Sequence, residues 1–578
     1  MPTYKAPVED FLFLFHELLE IEKRTDLPGF AELTPDMTSA ILEGGAKFCE
    51  EVLKLGVAEE LGGANLPSVI TFAFSEMGSS SNQAFAMYPG LTGAALGALW
   101  ATGEDWMRKH VAQPMADGDW AGTMCLTEPH CGTDLKLMKT RATKQEDGTY
   151  RLSGTKIFIS GGDQDITDNI IHMVIAKLPN DEGKYVDDLS TVNFFMVPKM
   201  LVDEETGKIL GPNNVSVGAV EKKMGIKGNA TCVMNFDNAV AYHLKGRAPE
   251  KKTEDGKVVK SKSAGMAGMF GMMNGARMGV GIQGIAAGEV AYQNGVAYAN
   301  DRLAGRSLTG AKNPDGPADP IMVFPDVRRL LISSRAFVEG ARALAMYVSF
   351  LFSVSRASTN DAERQEAEDL AQLFTPVIKA YFTDKGFEAA NASMQVFGGH
   401  GYIRDNGMEQ FVRDARINQV YEGANGIQAL DLVARKMTSK GGRATMAYFA
   451  KLEAFIKENE GDAEMKPYIV GLKAGYGRLG DAAGWLMENA PKNYDHAGAA
   501  SYDILHIFGT VTLAWMWAQM AKVSLAKLKE GTGNPDFYKR KLTLARYWME
   551  REVPMTAGWL ERAKAGADGL MELDAVNF

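Results

Sequence analysis

The strongest constraint on the fold is a change of hydrophobic periodicity along the chain. Residues 1–120 carry amphipathic helical spacing, whereas residues 121–245 break into short strand-like runs separated by turn residues, and helical patterns return from 265 onward. This segregation is typical of an α+β protein, and 578 residues correspond to about three or four domains. We predict an N-terminal helical domain at 1–120, a middle β domain at 121–262, a helical-bundle domain at 263–437 and an additional helical domain at 438–578.

Charge and cysteine content disfavour several classes of protein. The chain has 72 acidic and 62 basic residues, and its net charge of −10 disfavours nucleic acid and acidic membranes as partners. Its four cysteines form no CxxC pair, which predicts a reducing, cytoplasmic location. The first residues lack a basic segment, and the apolar run at 11–15 is too short for a signal sequence or a membrane span. We therefore expect a cytoplasmic protein without a membrane partner.

One junction in the helical first region lacks a connection. A helical pattern that ends at Lys54 runs directly into another that starts at Leu55, although two helices normally need several linking residues. This arrangement predicts that a loop is missing between the two residues.

Familiar motifs of nucleotide, metal and hydrolase sites are missing or misplaced. GVGIQG at 279–284 matches a dinucleotide-binding pattern, but it lies inside a helical stretch of small residues instead of following a strand. Close helix packing is the better interpretation of these glycines. The sequence contains no HExxH, GxSxG or P-loop pattern and its histidines do not cluster, so no metal site is predicted. His400, beside Gly399, is interpreted as a turn residue.

Three segments indicate a bound ligand and a reactive group. LTEPHCGTD at 126–134 leaves a strand through a Pro and Gly turn, and SGTKIFISGG at 153–162 ends a strand in a hydroxyl group and glycines. Hydroxyls and accessible backbone N–H groups at strand ends suit a polar heteroaromatic ligand. The segment 395–436 then places QVFGGHGY before a helix and VYEG after it, with Glu422 on a glycine-rich break.

TEPHCGTD, KIFISGG, QVFGGHGY, RDARI and VYEG occur in this order, and together they resemble the acyl-CoA dehydrogenase family of flavoenzymes. The resemblance covers residues 1–437 and implies that family's fold, with helical, β and helical-bundle domains. The long chain is most similar to the bacterial subgroup that contains 3-methylmercaptopropionyl-CoA dehydrogenase. This similarity implies FAD-dependent oxidation of a short or medium acyl-CoA, most simply 3-methylmercaptopropionyl-CoA to methylthioacryloyl-CoA. It also implies a homodimer and electron-transferring flavoprotein as the electron acceptor.

The resemblance assigns roles to residues of this chain. Glu422 corresponds to the catalytic base, and Arg277 and Gly423 correspond to positions beside bound acyl-CoA. The positions that correspond to FAD contacts are Leu126, Thr127, Thr133, Phe158, Ser160, Arg302, Gln395 and Gly399. Among them, Arg302 corresponds to an arginine that reaches the FAD pyrophosphate across the dimer interface, and Thr133 stands where the family usually has serine.

The sequence also departs from the family after VYEG. Ala424 and Gly426 replace the common Thr-x-Gln pair, whose side chains touch the adenosine part of FAD in the family. Neither position acts on the reacting centre, so the departure concerns cofactor binding alone.

The implied chemistry needs a base and an electron acceptor. The α C–H of a thioester is weakly acidic, and a carboxylate on a loop can take its proton while hydride leaves the β carbon for flavin N5. Burial raises the pKa of such a carboxyl and a following helix N-terminus lowers it; we expect burial to dominate once substrate excludes water. Judged without the motifs, Glu422 fits a solvated loop carboxylate. Phe158 fits a core aromatic and a flavin contact equally well, and Arg277 and Arg302 fit surface ion pairs as well as they fit ligand contacts.

Residues 438–578 and the substrate leave alternatives open. The extension has 18 basic and 17 acidic residues, with its densest cations in KRKLTLARYWMERE at 539–552. Packing on the catalytic core is favoured over DNA binding of the kind found in alkylation-response relatives, because glutamates interrupt this cluster. An acyl-CoA oxidase would use the same residues and is a further alternative. The four methionines of a predicted helix face are either core residues or a soft wall for a thioether-bearing acyl chain: Met266, Met269, Met272 and Met273.

Overall fold

The computed structural model describes residues 2–48, 61, 66–245, 251–252, 258–259 and 264–578. The predicted gap between Lys54 and Leu55 lies outside these residues, and so do the side chains of the four methionines at 266–273. The α-helices are α1 Val8–Leu12, α2 Pro35–Phe48, α3 Ser68–Thr102, α4 Asp105–Met107, α5 Gln113–Asp117, α6 Ala264–Asp301, α7 Pro325–Ala357, α8 Asp361–Val396, α9 Met408–Asn418, α10 Asn425–Asp431, α11 Ser439–Asn459, α12 Lys466–Asn489, α13 Tyr494–Glu530, α14 Pro535–Tyr547, α15 Thr556–Lys564 and α16 Asp568–Met571. The strands are β1 Trp120–Cys125, β2 Arg141–Lys144, β3 Tyr150–Ser160, β4 Asn169–Lys177, β5 Val192–Pro198, β6 Met200–Val202, β7 Ile209–Pro212, β8 Val215–Val220, β9 Thr231–His243, β10 Lys251–Lys252 and β11 Val258–Val259.

The chain forms two compact units, which we call the β unit and the helical unit. The β unit comprises Glu51–Leu66 and Asn82–Ala276, and the helical unit comprises Met1–Glu50, Pro67–Ser81 and Arg277–Phe578. α3 contributes to both units, and its helical backbone is interrupted at the division, where Asn82 has φ −162° and ψ 92°. Each unit has hydrophobic cores of its own.

The long strands of the β unit close into a barrel. Their hydrogen-bonded order is β4-β2-β3-β9-β5, and β5 pairs with β4 again, while β1 lies beside β4 and β8 lies beside β9. All nine residues of β4 are buried, as expected for a continuous apolar run with both faces covered. Its side chains alternate between two cores, with Ile171 and Met173 in one and Val174 and Ala176 in the other. The strand runs predicted from sequence correspond to β1, β3, β4, β5 and β9.

The helices α6 and α8 of the helical unit approach each other closely, and this contact depends on glycine. A Cβ atom at Gly281 would lie 2.5 Å from the Ile378 side chain, and one at Gly284 would lie 2.5 Å from the carbonyl oxygen of Phe382. A Cβ atom at Gly386, on the other helix, would overlap the carbonyl of Gly284. GVGIQG therefore serves helix packing, which confirms the interpretation made from sequence.

Residues 438–578 pack on α7 and α8. The central element is α13, a 37-residue helix. A Cβ atom at Gly509 would overlap the Tyr381 ring of α8, and the Trp517 indole N–H donates to the carbonyl of Ala336 in α7 at 3.1 Å. Both α7 and α13 have the length and composition of membrane spans, but 83% and 94% of their most apolar windows are buried within the protein, as in core helices.

The KRKLTLARYWMERE segment of the extension is paired within the chain. Lys541 is fully buried, and its ammonium binds Asp10 and, at 2.6 Å, Glu339. Its neighbour Arg540 lies 3.7 Å from Glu9. These pairs reduce the positive charge available to a polyanion, so they favour packing over DNA binding.

Lys541 belongs to a larger group of buried charges, which we call the Arg342 network. Its members are Asp10, Glu76, Glu289, Arg335, Glu339, Arg342 and Lys541. Every nitrogen of the Arg342 guanidinium binds a carboxylate. Nε binds Glu76 at 3.0 Å, while Nη1 binds Asp10 and Nη2 binds Glu289, each at 2.6 Å. Buried charges are tolerated when they are paired. Because the paired residues lie on α1, α7 and α14, the network joins α1 and α14 to α7.

Candidate active site

In the β unit, the segment that follows β1 lies against the end of β3. The Ile157 N–H donates to the Thr127 carbonyl at 2.9 Å. The turn after this segment folds back on it, since a Cβ atom at Gly132 would lie 3.3 Å from the Thr127 side chain. These contacts place Leu126 and Thr127 beside the end of β3 that carries Phe158 and Ser160, and Thr133 directly follows the turn.

Phe158 is directed outward by an irregularity in β3. The pairing of β3 with β9 shifts between Lys156 and Ile159, and Phe158 has φ +61°, a left-handed conformation that residues other than glycine rarely adopt. Its side chain is 60% exposed. A large apolar ring that a strained backbone presents to solvent fits contact with a planar ligand such as a flavin ring, and it does not fit a core role.

A buried ion pair supports the same segment and was not predicted from sequence. The Lys156 ammonium donates to the Leu126 carbonyl at 3.0 Å and to the Glu128 carboxylate at 2.9 Å. Burial raises the pKa of Glu128, but Lys156 and backbone donors such as the Lys139 N–H lower it overall. Glu128 also lies close to His130 and Cys131, yet its oxygens are already engaged by these donors. A lone lysine in the apolar run KIFIS was the available sequence signal.

In the helical unit, three further predicted FAD residues lie on neighbouring segments. Arg302 directly follows α6, while Gln395 lies in the last turn of α8 and Gly399 in the turn after it. Tyr298, near the end of α6, joins these segments because its hydroxyl hydrogen-bonds His400 at 2.8 Å. The three predicted residues are exposed, and His400 is a turn residue as expected.

Glu422 lies on a strained turn between α9 and α10. Its φ is +56°, and that of Gly423 is +89°. A Cβ atom at Gly423 would overlap the side-chain amide of Gln428, whose Nε2 donates to the Glu422 carbonyl at 3.5 Å. Glycine is therefore required after Glu422, and such strain is characteristic of functional loops.

The surroundings of Glu422 raise the pKa of its carboxyl. Burial is the main cause, and the charges of Arg277 and Lys379 oppose it by favouring the ionised form. Burial outweighs these two cations, which the sequence analysis did not identify as groups that oppose it. The Arg277 guanidinium lies 3.4 Å from Asp431, and its Nε has no partner in the described part of the chain. A carboxyl with a raised pKa, beside a cation with a free donor, can accept a proton from a polar substrate.

Residues beside Glu422 that the sequence analysis missed are Lys379, Asp384 and Asn425. Lys379 is buried in α8, and its ammonium donates to the Asn425 side-chain oxygen at 2.8 Å. Burial lowers the pKa of Lys379 to about 7, although Asp384 and Glu422 favour its charged form. The Asn425 amide in turn donates to Asp384 at 2.7 Å. The two charged residues stand in the largely apolar stretch PVIKAYFTDKGF, which was the only sequence signal for them.

Three family models match successive parts of the chain. The acyl-CoA dehydrogenase middle domain matches residues 123–239, and the acyl-CoA dehydrogenase C-terminal domain matches residues 263–438. A model described as acetyl-CoA dehydrogenase C-terminal like matches residues 448–574. The extension is therefore a recognised domain of such enzymes.

Similar proteins cover nearly the whole chain. It is 33% identical to 3-methylmercaptopropionyl-CoA dehydrogenase of Ruegeria pomeroyi, over 98% of this chain and 99% of that protein. It is 32% identical to the broad-specificity linear acyl-CoA dehydrogenase FadE5 of Mycobacterium tuberculosis, over 91% of this chain and 85% of that protein.

Solved structures share the fold. ACDH-11 of Caenorhabditis elegans, in complex with C11-CoA, matches with a TM-score of 0.72 at 16% identity over 99% of this chain and 96% of that one. An acyl-CoA dehydrogenase of Bacillus anthracis complexed with FAD matches with a TM-score of 0.69 at 19% identity, over 96% of this chain and 86% of that one. The helical, β and helical-bundle domains with an added C-terminal domain are thus those of known enzymes. The chain belongs to the acyl-CoA dehydrogenase family, FAD-dependent oxidoreductases that act on CH–CH bonds.

Proposed function

We propose that the protein oxidises 3-methylmercaptopropionyl-CoA to methylthioacryloyl-CoA. The choice of substrate is supported by the similarity to the Ruegeria pomeroyi enzyme, which extends over nearly the full length of both chains. The observation that carries the catalytic part of the proposal is Glu422, whose carboxyl combines a strained loop with a raised pKa.

Glu422 removes the α proton of the acyl chain. A carboxylate in a poorly solvated site is a stronger base than a free one, which suits the weakly acidic α C–H. Arg277 and Lys379 limit the rise of its pKa by favouring the ionised form, which is the form that acts as the base. The β carbon must lose a hydride at the same time, and bound FAD would supply the acceptor for it. We assign Arg277 and Gly423 to contacts with acyl-CoA.

We assign FAD binding to two groups of residues. Those of the β unit would hold the flavin ring: Leu126, Thr127, Thr133, Phe158 and Ser160. Arg302, Gln395 and Gly399 would contact the FAD of a second subunit in a homodimer. Their exposure supports this assignment, because residues that act across a subunit interface must lie on the surface of the isolated chain.

The proposal is tested by anaerobic flavin bleaching. The purified holoenzyme is mixed with 3-methylmercaptopropionyl-CoA, butyryl-CoA and octanoyl-CoA, and the loss of flavin absorbance is followed. We expect the first substrate to have the highest kcat/KM. Equal or faster bleaching by the straight-chain substrates would refute the substrate assignment and leave the general dehydrogenase activity standing.

The role of Glu422 is tested with Glu422→Gln, which keeps the shape of the side chain and removes the base. This variant is expected to retain FAD and bind acyl-CoA while bleaching falls by roughly 10³-fold or more. Glu458→Gln, which removes an exposed carboxylate paired with Lys522, is the matched control and should behave as wild type. Bleaching by Glu422→Gln at the wild-type rate would exclude Glu422 as the base.

We further propose that a cytoplasmic electron-transferring flavoprotein, and not oxygen, reoxidises the enzyme. Turnover is measured with that flavoprotein under argon and with air alone. Turnover that depends on the flavoprotein supports a dehydrogenase, whereas equal turnover with air alone and production of hydrogen peroxide would identify an acyl-CoA oxidase.

A further inference from the structure

The side chain of Asp384 connects the Glu422 loop to the C-terminal extension. Asp384 is a buried residue of α8, and its carboxylate accepts hydrogen bonds on both oxygens. Oδ1 accepts from the side chains of Gln419 at 2.8 Å and Asn425 at 2.7 Å. These residues stand three positions before and three positions after Glu422. One carboxylate oxygen therefore ties both ends of the loop that carries the base.

The second oxygen of Asp384 is bound entirely from the extension. Tyr502 donates its hydroxyl to Oδ2 at 2.8 Å, and His506 Nε2 lies 3.1 Å from the same atom. Both donors belong to α13, one helical turn apart, so they lie on one face of that helix. With two donors on each oxygen, the carboxylate has a single orientation.

The loop itself depends on this orientation. Besides the two side-chain bonds to Asp384, the Asn425 backbone N–H donates to the Gln419 carbonyl at 3.1 Å and closes the loop. The Asn425 side chain also accepts from Lys379, one of the two cations that act on Glu422. Rotation of the Asp384 carboxylate would break its bonds to Gln419 and Asn425 together. The Asn425 side chain would keep its bonds to Lys379, Thr383 and the Ala380 carbonyl, so the Gln419 end of the loop would loosen most and the position of Glu422 would change with it.

We propose that the extension supplies positioning residues for the catalytic loop: Tyr502 and His506 hold the Asp384 carboxylate, which holds Gln419 and Asn425 on either side of Glu422. The inference rests on the proposed role of Glu422 as the base. It gives residues 438–578 a function in catalysis in addition to packing, since a base displaced by about 1 Å can lose a large part of its rate.

The test compares Tyr502→Phe/His506→Phe with the wild-type holoenzyme. The double variant keeps both rings and removes both donors. We expect kcat to fall roughly tenfold while KM and FAD content stay within about twofold, because substrate binding does not need an aligned base. Hydrogen exchange of the backbone amides of residues 419–428, measured by mass spectrometry, should become faster.

Three further variants make the result specific. Tyr448→Phe removes another buried hydroxyl contact of the extension, the 2.7 Å bond to Thr512, and should leave both kcat and loop exchange unchanged. Replacing the His506→Phe change of the double variant by His506→Gln restores one donor and should recover most of the rate. Asp384→Asn should slow catalysis as the double variant does, and combining the two should add little, because both act through the same carboxylate.

The proposal is overturned if the double variant shows wild-type kcat or wild-type exchange at 419–428, or if Tyr448→Phe shows the same losses. Hydrogen exchange reports the loop independently of its chemistry. Activity of Glu422→Gln would therefore refute the proposed base, while unchanged exchange in the double variant would refute the positioning role.

Discussion

The Arg342 network and the surroundings of Glu422 are both groups of buried and half-buried charges in the helical unit, but they differ in how completely the charges are paired. All three nitrogens of Arg342 bind carboxylates. Around Glu422, by contrast, Arg277 has one partner at 3.4 Å and an Nε without a partner in the described residues. Fully paired buried charges are typical of structural networks, whereas incomplete pairing is typical of binding sites.

The extension takes part in both groups, and this makes the difference informative. Lys541 enters the Arg342 network as a charge that balances carboxylates, so its contribution is to hold elements together. Tyr502 and His506 hydrogen-bond to Asp384, which in turn binds residues of the Glu422 loop. The extension thus makes one set of contacts that holds helices together and another set that reaches the loop of the candidate base through Asp384.

The largest effect is expected from breaking the Arg342 network. Arg342→Met leaves Glu76 and Glu289 buried without their cation, and we expect a loss of about 3–5 kcal/mol in the free energy of unfolding. Arg277→Met should cost less than about 1 kcal/mol, because Asp431 keeps Arg435 as a partner at 2.7 Å. Urea unfolding of the two variants measures the difference. Similar losses in both would show that the two groups are equally structural.

A smaller effect, on catalysis instead of stability, is expected from Arg277→Met. The positive charge of Arg277 favours the ionised form of Glu422 and lowers its pKa, so its removal raises that pKa. The acid limb of the pH profile of kcat should therefore move to higher pH. Steady-state kinetics between pH 5 and pH 9 measure this shift, and KM for acyl-CoA should also rise if Arg277 contacts the substrate. An unmoved acid limb would show that Arg277 does not act on the base.

The smallest shift is expected from Lys379→Met, because Lys379 has a weaker influence on the pKa of Glu422 than Arg277 has. The direction is the same, toward higher pH. Lys379 itself has a pKa of about 7, so it carries a charge mainly below that pH, and the effect should vanish in the alkaline half of the profile. Lys385→Met, in the same helix but paired with Glu388, is the matched control. A shift of equal size in the control would attribute the effect to α8 in general.

Local sequence patterns predicted much of the fold. The apolar runs of β4 and β5 and the small residues of GVGIQG each have a physical consequence that depends on near neighbours alone, namely a buried strand or a close helix contact. The closure of the barrel was not predictable in this way, because β5 pairs with both β4 and β9 through residues far apart in the chain.

The residues of the candidate site also differ in whether local sequence could identify them. Glu422, Phe158 and Arg302 were found through ordered motifs, but Lys156, Lys379 and Asp384 were not. Their roles depend on long-range contacts, such as the hydrogen bond between Asp384 and His506, which are separated by 122 positions. A charged residue in a largely apolar stretch was the only local sign of each.

The sequence by itself determined the order of helical and strand regions, the family and the identity of the candidate base, because periodicity and motif spacing are local properties of a chain. Only the tertiary structure decided which buried charges are paired and which groups raise or lower the pKa of Glu422. It also decided that residues of α13 contact Asp384. Burial and electrostatic fields are set by all the groups that fold around an atom, and no single segment contains them.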